Sequence, residues 1–342
     1  MNTADALRRK QPGIAISAFG TTEGLEARLV PLRGYDLAVV PKVPLPRHLS
    51  VELLRVPAKL LTAVRAARRH LDEVDASVVV GFGGYVCVPA YIAAHRRGTP
   101  IVVHEANAKA GLANRIGARW AAAVATAVDG ALPHAELIGM PLREQISSLD
   151  RQASRSSARA GLGLGDGPVL LVTGGSQGAR RINAAVTAAA PELAAAGVQV
   201  LHVTGPKQLE RVRADLGPDA PPTHHVLPFV DDMAIAYAAS DLVLSRAGAM
   251  TCAELAAVGL PAVYVPLPIG NGEQALNARP TVEDGGGLLV ADEALDASYV
   301  LGTVLPLLLD RPRLEQMGRA AAGRGRRHAD EALADLVLRA VR

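Results

Sequence analysis

The stretch "LLVTGGSQGARRIN", residues 170–183, decides the fold. A short apolar run ends in two glycines. Ser176, Gln177 and Gly178 follow, and then a run of helical character. Strand, bare loop and helix start make one unit of a parallel α/β sheet, whose ligands sit beyond the carboxyl ends of the strands. The free N–H groups and positive dipole end of such a helix attract an anion. Gly174, Gly175 and Gly178 let a phosphate come close, and Ser176 adds a hydroxyl donor. A tight turn with positive φ would ask for the same glycines. The spacing is not a P-loop, since no Gly-Lys-Ser/Thr occurs in the chain, and it is not the dinucleotide G-x-G-x-x-G.

The pattern recurs along the chain. "GFGGY" at 81–85 follows the run "SVVV" and opens a helix over 86–97. "SRAGAMTCAE" at 245–254 and "IGNGEQALN" at 269–277 also stand between a strand and a helix. Glu254 could accept both hydroxyls of a ribose, or simply favour the helix dipole. Glu273 and Gln274 are placed to meet hydroxyls. "HEANAKAGLANR" at 104–115 follows the strand "IVV" and gathers His104, Glu105, Asn107 and Asn114. That is either a site or a set of caps.

Short β-branched runs alternate with alanine-rich runs throughout. Strands are expected at 13–18, 36–40, 77–80, 101–103 and 123–128, then at 168–173, 198–203, 224–227, 241–244, 261–265 and 287–290. The reading is α/β: two Rossmann-like doubly wound domains facing a cleft, 1–143 and 144–324. The C-terminal helix 325–342 is able to join the first. A shift toward Ser, Arg and Gly over 150–167 marks the change of domain.

At 342 residues with 49% hydrophobic and 20% charged residues, the chain has full cores and is not disordered. Aromatics at 3% are too few for stacking single-stranded nucleic acid, so no nucleic-acid partner is expected. Cys87 and Cys252 have no metal-ligand spacing. The uncharged run 255–272 holds three prolines and cannot form a clean spanning helix. From 42 to 70 there are seven Lys or Arg against one acid, Glu52. With Leu60, Leu61, Val64 and Leu71 at helical spacing, this stretch reads as a basic, apolar face for an anionic membrane surface.

Together, "GFGGY", "HEANAKAGLANR", "GMPLR", "GGSQGA", "FVDDM", "SRAGAMTCAE" and "PLPIGNGEQALNA" resemble the motifs of the MurG-type N-acetylglucosaminyltransferases of peptidoglycan synthesis. The resemblance runs from about residue 13 to about 320. It implies a GT-B fold at the cytoplasmic face of the cell membrane, held peripherally. It implies transfer of GlcNAc from UDP-GlcNAc to the muramyl C4 hydroxyl of lipid I, with inversion, giving lipid II. Gly175, Ser176 and Gln177 would hold the diphosphate, with Arg143 adding charge. The backbone of Val230 would read the uracil. Ala249, Met250, Thr251, Cys252 and Ala253 would line the nucleotide, and Glu254 would take the ribose. Gln274 would bind GlcNAc hydroxyls; the family has two glutamines there, where this chain has Glu273 and Gln274. Asn107 would meet the donor sugar. Tyr85, Glu105 and Asn114 would lie on the acceptor side, as the candidates for catalysis. No Asp-x-Asp triplet occurs, so neither metal nor cofactor is expected.

The family opens with a strand and a glycine-rich, histidine-containing loop. Residue 1 here falls inside what reads as the following helix, with 1–12 polar. The expectation is an N-terminally truncated chain that cannot turn over, with two inner strands each left with an unpaired edge. Two other readings share the UDP site: a UDP-GlcNAc 2-epimerase, and a catalytically dead UDP-sugar-binding scaffold.

Overall fold

Strands of Val, Leu and Ile with no polar face must be covered on both sides, which is what parallel α/β layering provides. In the computed structural model, residues 1–24, 26–43, 56–175, 178–269 and 272–341 are described. The chain divides into two units, Met1–Pro141 with His328–Arg342, and Leu142–Arg327.

The first unit carries β1 (Ser17–Gly20), β2 (Asp36–Val39), β3 (Val79–Gly81), β4 (Ile101–Glu105), β5 (Ala123–Thr126) and β6 (Glu136–Leu137). Its helices are α1 (Asn2–Lys10), α2 (Glu26–Leu32), α3 (Val56–Glu73), α4 (Cys87–Arg97) and α5 (Leu112–Gly117). The strands form two parallel sheets, β1-β2 and β3-β4-β5-β6. Among the described residues, the second edges of β1 and β3 carry no strand. The two sheets still share one core, in which Phe19 and Val40 pack with Val64, Val79, Tyr91 and Val103.

The second unit carries β7 (Val169–Thr173), β8 (Gln199–Val203), β9 (His224–Leu227), β10 (Leu242–Ser245), β11 (Ala262–Tyr264) and β12 (Gly287–Leu289). Its helices begin with α6 (Glu144–Ser147), α7 (Arg151–Gly161), α8 (Arg180–Ala188), α9 (Ala190–Ala195) and α10 (Leu209–Leu216). They continue with α11 (Met233–Ala239), α12 (Ala249–Val258), α13 (Glu273–Glu283), α14 (Ala297–Tyr299), α15 (Leu305–Leu309) and α16 (Arg311–Arg324). All six strands are parallel in the order β12-β11-β10-β7-β8-β9, so the chain reverses its winding between β7 and β10. β7 is buried at every position.

Three local readings change. Residues 1–10 are not a merely polar helix: Ala6 and Leu7 of α1 pack against Leu333 and Val337 of α17 (Ala329–Ala340), and against Val102 and Ala125 of the sheet. Arg9 holds the buried Asp330 at 2.7 Å. The Ser/Arg/Gly shift at 150–167, read only as the change of domain, includes α7, capped by Asp150, whose Oδ1 accepts from the Ala153 N–H at 3.0 Å. Its arginines reach the carbonyls of other elements: Arg151 reaches Tyr237, Ser240 and Gly259, and Arg159 reaches Ala239, Gly165 and Gly167. And β6, two residues long, is too short to show a period in the sequence.

A buried chain of polar side chains spans three elements of the second unit. Asn183 Nδ2 donates to the Thr204 carbonyl at 3.1 Å, so its Oδ1 accepts from His202 Nε2 at 3.1 Å. His202 Nδ1 then accepts from His224 Nε2 at 3.0 Å, and His224 Nδ1 is left without a partner. Burial pushes His202 down to about 3 and His224 down to about 4, from 6.5. The sign follows. Above the unfolded value both rings are neutral in either state, and nothing is lost. As pH falls from 6.5 toward 4, the unfolded chain takes protons that the folded unit refuses, and stability declines. Thermal melts between neutral pH and pH about 4.5 should show His224→Gln, which keeps a donor to His202, taking up about one proton fewer on unfolding than the parent. Equal acid slopes would contradict this.

Candidate functional site

In the second unit most of the candidate residues follow the carboxyl ends of β7, β10 and β11, while Val230 follows β9 and Arg143 precedes α6. The turn after β7 approaches its surroundings more closely than any side chain would permit. A Cβ on Gly174 would strike the Ala179 amide, and one on Gly178, at φ +74°, would strike the Thr204 carbonyl. Asn183, one turn into α8, holds that same carbonyl. These contacts join Gly174 and Gly178 to the start of α8 and the end of β8. Gly175 is in the turn; Ser176 and Gln177 lie outside the described residues, as do Gly270 and Asn271.

After β10, Gly248 leads into α12, and Glu254 lies in its second turn, half-buried. Tyr237 of α11 donates its hydroxyl to Glu254 Oε2 at 2.7 Å. Burial raises the Glu254 carboxyl above its ordinary value, while the Tyr237 hydroxyl and the positive Arg143 pull it down. Arg143, exposed at the N-cap of α6, thus lies within electrostatic reach of Glu254 and Tyr237. Of the run ahead of Glu254, Met250 is exposed, Ala249, Thr251 and Ala253 are half-buried, and Cys252 is buried. Desolvation pushes the Cys252 thiol up to about 12, which keeps it protonated. Val230 is half-buried beside the exposed Phe229. Gln274 accepts from the Leu267 N–H at 3.0 Å, tying the start of α13 to the loop after β11.

Arg246 was quoted in its motif without a role. Its Nη1 donates to the carbonyls of Val265 and Pro266, at 3.1 and 3.2 Å, and to Asp292 Oδ1 at 2.6 Å. Asp292 also accepts from Arg181 Nε of α8 at 3.2 Å. The loops after β10, β11 and β12 and the first turn of α8 are thereby joined. An arginine within a run of Gly and Ala was the available signal.

In the first unit, the polar cluster closes into one network. Glu105 is buried at the end of β4. Its Oε1 accepts from the Asn107 N–H at 2.9 Å. Its Oε2 accepts from the Gly111 N–H and Asn114 Nδ2, each at 3.0 Å. Asn114 also accepts from the Tyr91 hydroxyl at 2.9 Å and donates to the His104 carbonyl at 3.1 Å. These donors, with Asn107 Nδ2 at 3.4 Å from Oε1, satisfy the carboxylate and shape the loop between Glu105 and α5. His104 is a core group: Nε2 donates to the Gly139 carbonyl at 2.8 Å, Nδ1 has no partner, and burial lowers its pKa. Tyr85 stands outside this network, 54% exposed, with Phe82 and Leu112 also exposed. Among the described residues, no group of three or more His, Cys, Asp or Glu could hold a metal ion.

Comparison with known proteins gives the context of this geometry. Residues 1–126 match the glycosyltransferase family 28 N-terminal domain, and 169–333 match the glycosyltransferase family 28 C-terminal domain. The UDP-N-acetylglucosamine--N-acetylmuramyl-(pentapeptide) pyrophosphoryl-undecaprenol N-acetylglucosamine transferase of Acidothermus cellulolyticus is 58% identical, over 98% of this chain and 92% of its own. The crystal structure of Acinetobacter baumannii MurG superimposes with a TM-score of 0.79 at 29% identity, over 98% of this chain and 95% of that one. A UDP-GlcNAc 2-epimerase from Neisseria meningitidis, solved with UDP-GlcNAc, has a TM-score of 0.69 at 13% identity, over 99% and 95%, which is a likeness of fold alone.

Proposed function

The chain belongs to glycosyltransferase family 28, and on that premise we propose how its residues divide the reaction. It is an N-acetylglucosaminyltransferase of the MurG type. It moves GlcNAc from UDP-GlcNAc to the muramyl sugar of lipid I, giving lipid II for peptidoglycan. The observation that carries this reading is the 58% identity, across nearly all of both chains, with a relative named for this transfer. The epimerase shares only the fold.

The acceptor hydroxyl attacks the anomeric carbon as the bond to the diphosphate oxygen breaks, and one such displacement inverts the centre. The leaving diphosphate needs its charge stabilised and the hydroxyl must lose its proton. In the second unit, the amides of the Gly174–Gly178 turn and the start of α8 oppose the diphosphate charge, helped by Arg143. The Val230 backbone takes the uracil, Ala249 to Ala253 flank the nucleotide, Glu254 accepts from the ribose hydroxyls, and Gln274 meets the GlcNAc hydroxyls. In the first unit, Asn107, Glu105 and Asn114 present a fixed loop to the sugars, and Tyr85 offers the exposed hydroxyl. Labelled UDP-GlcNAc and lipid I should yield labelled lipid II, against the sequence expectation of a chain that cannot turn over. Glu254→Ala should weaken UDP binding by about 1–3 kcal/mol, the scale of hydrogen bonds to a charged group. Formation of an epimer from UDP-GlcNAc alone, with no lipid II, would contradict the reading.

The acceptor's undecaprenyl chain keeps it in a bilayer, and no helix among the described residues is long and apolar enough to cross one. We propose that α3 meets the cytoplasmic face peripherally. Val64 and Leu71 pack inward, while Leu61 is exposed. Leu61, Arg65, Arg68 and Arg69 of α3, with Arg96 of α4, line an open cavity of about 650 Å³. Of these arginines, Arg68 pairs with Asp72 at 3.2 Å. Residues 44–55 of the basic stretch lie outside the described residues. Reversing Lys59, Arg65 and Arg69 to Glu should release the protein from anionic vesicles, each lost basic side chain contributing about 1 kcal/mol. Sedimentation equal to the parent's would move the contact elsewhere.

A further inference from the structure

We infer that Tyr237 is a positioning residue that makes Glu254 selective for ribonucleoside over 2′-deoxyribonucleoside diphosphates; this rests on the reading of Glu254 as the ribose acceptor. Tyr237 is 1% exposed, so it cannot touch a ligand itself. Its hydroxyl spans from α11 to Glu254 Oε2 at 2.7 Å. A glutamate near the start of a helix has three rotatable bonds. Ordering them only when ligand arrives would cost affinity. A hydrogen bond from a buried phenol fixes the carboxylate beforehand and still leaves it lone pairs for a diol. The same bond favours the ionised carboxylate, against the burial that disfavours it.

The two helices bearing this pair are themselves clamped. Arg151 of α7 donates from Nε to the Tyr237 carbonyl at 3.1 Å and from Nη2 to the Ser240 carbonyl at 2.7 Å, closing the end of α11. Its Nη1 donates to the Gly259 carbonyl, the C-cap of α12, at 2.9 Å. One half-buried guanidinium thus sets the spacing of α11 and α12, and the phenol uses that spacing to hold the carboxylate. Arg143, whose charge reaches both Tyr237 and Glu254, adds its attraction from the start of α6.

The test uses UDP and 2′-deoxy-UDP as probes, with the parent chain, Tyr237→Phe and Glu254→Gln, by calorimetry. Phenylalanine keeps the buried ring and removes only the hydroxyl. Tyr237→Phe should lose about tenfold in affinity for UDP and change by less than about twofold for 2′-deoxy-UDP, one hydrogen bond's worth of discrimination. In turnover, KM for UDP-GlcNAc should rise by about the same factor while kcat stays within about twofold, the pattern of lost uniform binding. Equal losses for both nucleotides, or none for either, would overturn the inference and reduce Tyr237 to packing. The Glu254→Gln arm separates the two levels. If it preserves the parent's preference for UDP, the ribose role of Glu254 fails and this inference falls with it. If it abolishes that preference while Tyr237→Phe does not, only the role of Tyr237 is overturned.

Discussion

The nucleotide loops of the second unit hang on the burial of β7. Val169, Leu170, Leu171 and Val172 are wholly removed from water, between β8 on one side and β10 on the other. A strand apolar on both faces can exist only in the middle of a sheet covered by helices on both sides. That condition places the carboxyl ends of β7 and β10 side by side at the reversal of winding, where an α/β sheet leaves a crevice. The glycine turn and the start of α12, with Glu254 beyond it, follow from that position and not from their own stability.

Around this centre the second unit satisfies backbone carbonyls with arginines. Arg151 and Arg159 reach the ends of α11 and neighbouring loops, Arg246 reaches the loop after β11, and Arg327 donates to the carbonyls of Ser147 and Leu149. Carbonyls at helix ends have no partner within the helix, and leaving them bare in a buried place is costly. Desolvation lowers Arg151 to about 10, which still leaves it charged at neutral pH. The fixed loops that would bind a nucleotide are therefore built from cations whose charge is spent on carbonyls, while Arg143 stays exposed.

Much of this was legible in the sequence because it is local. Each expected strand appears within a few residues of its place, since a buried parallel strand is a continuous apolar run. The glycines at 174, 175 and 178 announced a turn that no side chain could follow. What could not be read depends on contacts far apart in sequence. The role of Tyr237 is not written in its alanine-rich helix, because its partner lies on another element. Glu105 looked like a candidate acid or base. Only the fold reveals the Asn107 and Gly111 amides and the Asn114 side chain gathered on its carboxylate. The Ser/Arg shift at 150–167 hid α7, because arginines that cap distant carbonyls have the composition of an exposed segment.

The central claim is that UDP is held by the turn after β7 and the start of α12. Amide hydrogen exchange with and without UDP tests it most directly, since a bound diphosphate must slow exchange of the amides it engages. The account predicts added protection in peptides covering 173–183 and 246–258, with the network around Glu105 unchanged. Protection confined to residues 81–117, or absent from both segments of the second unit, would contradict it.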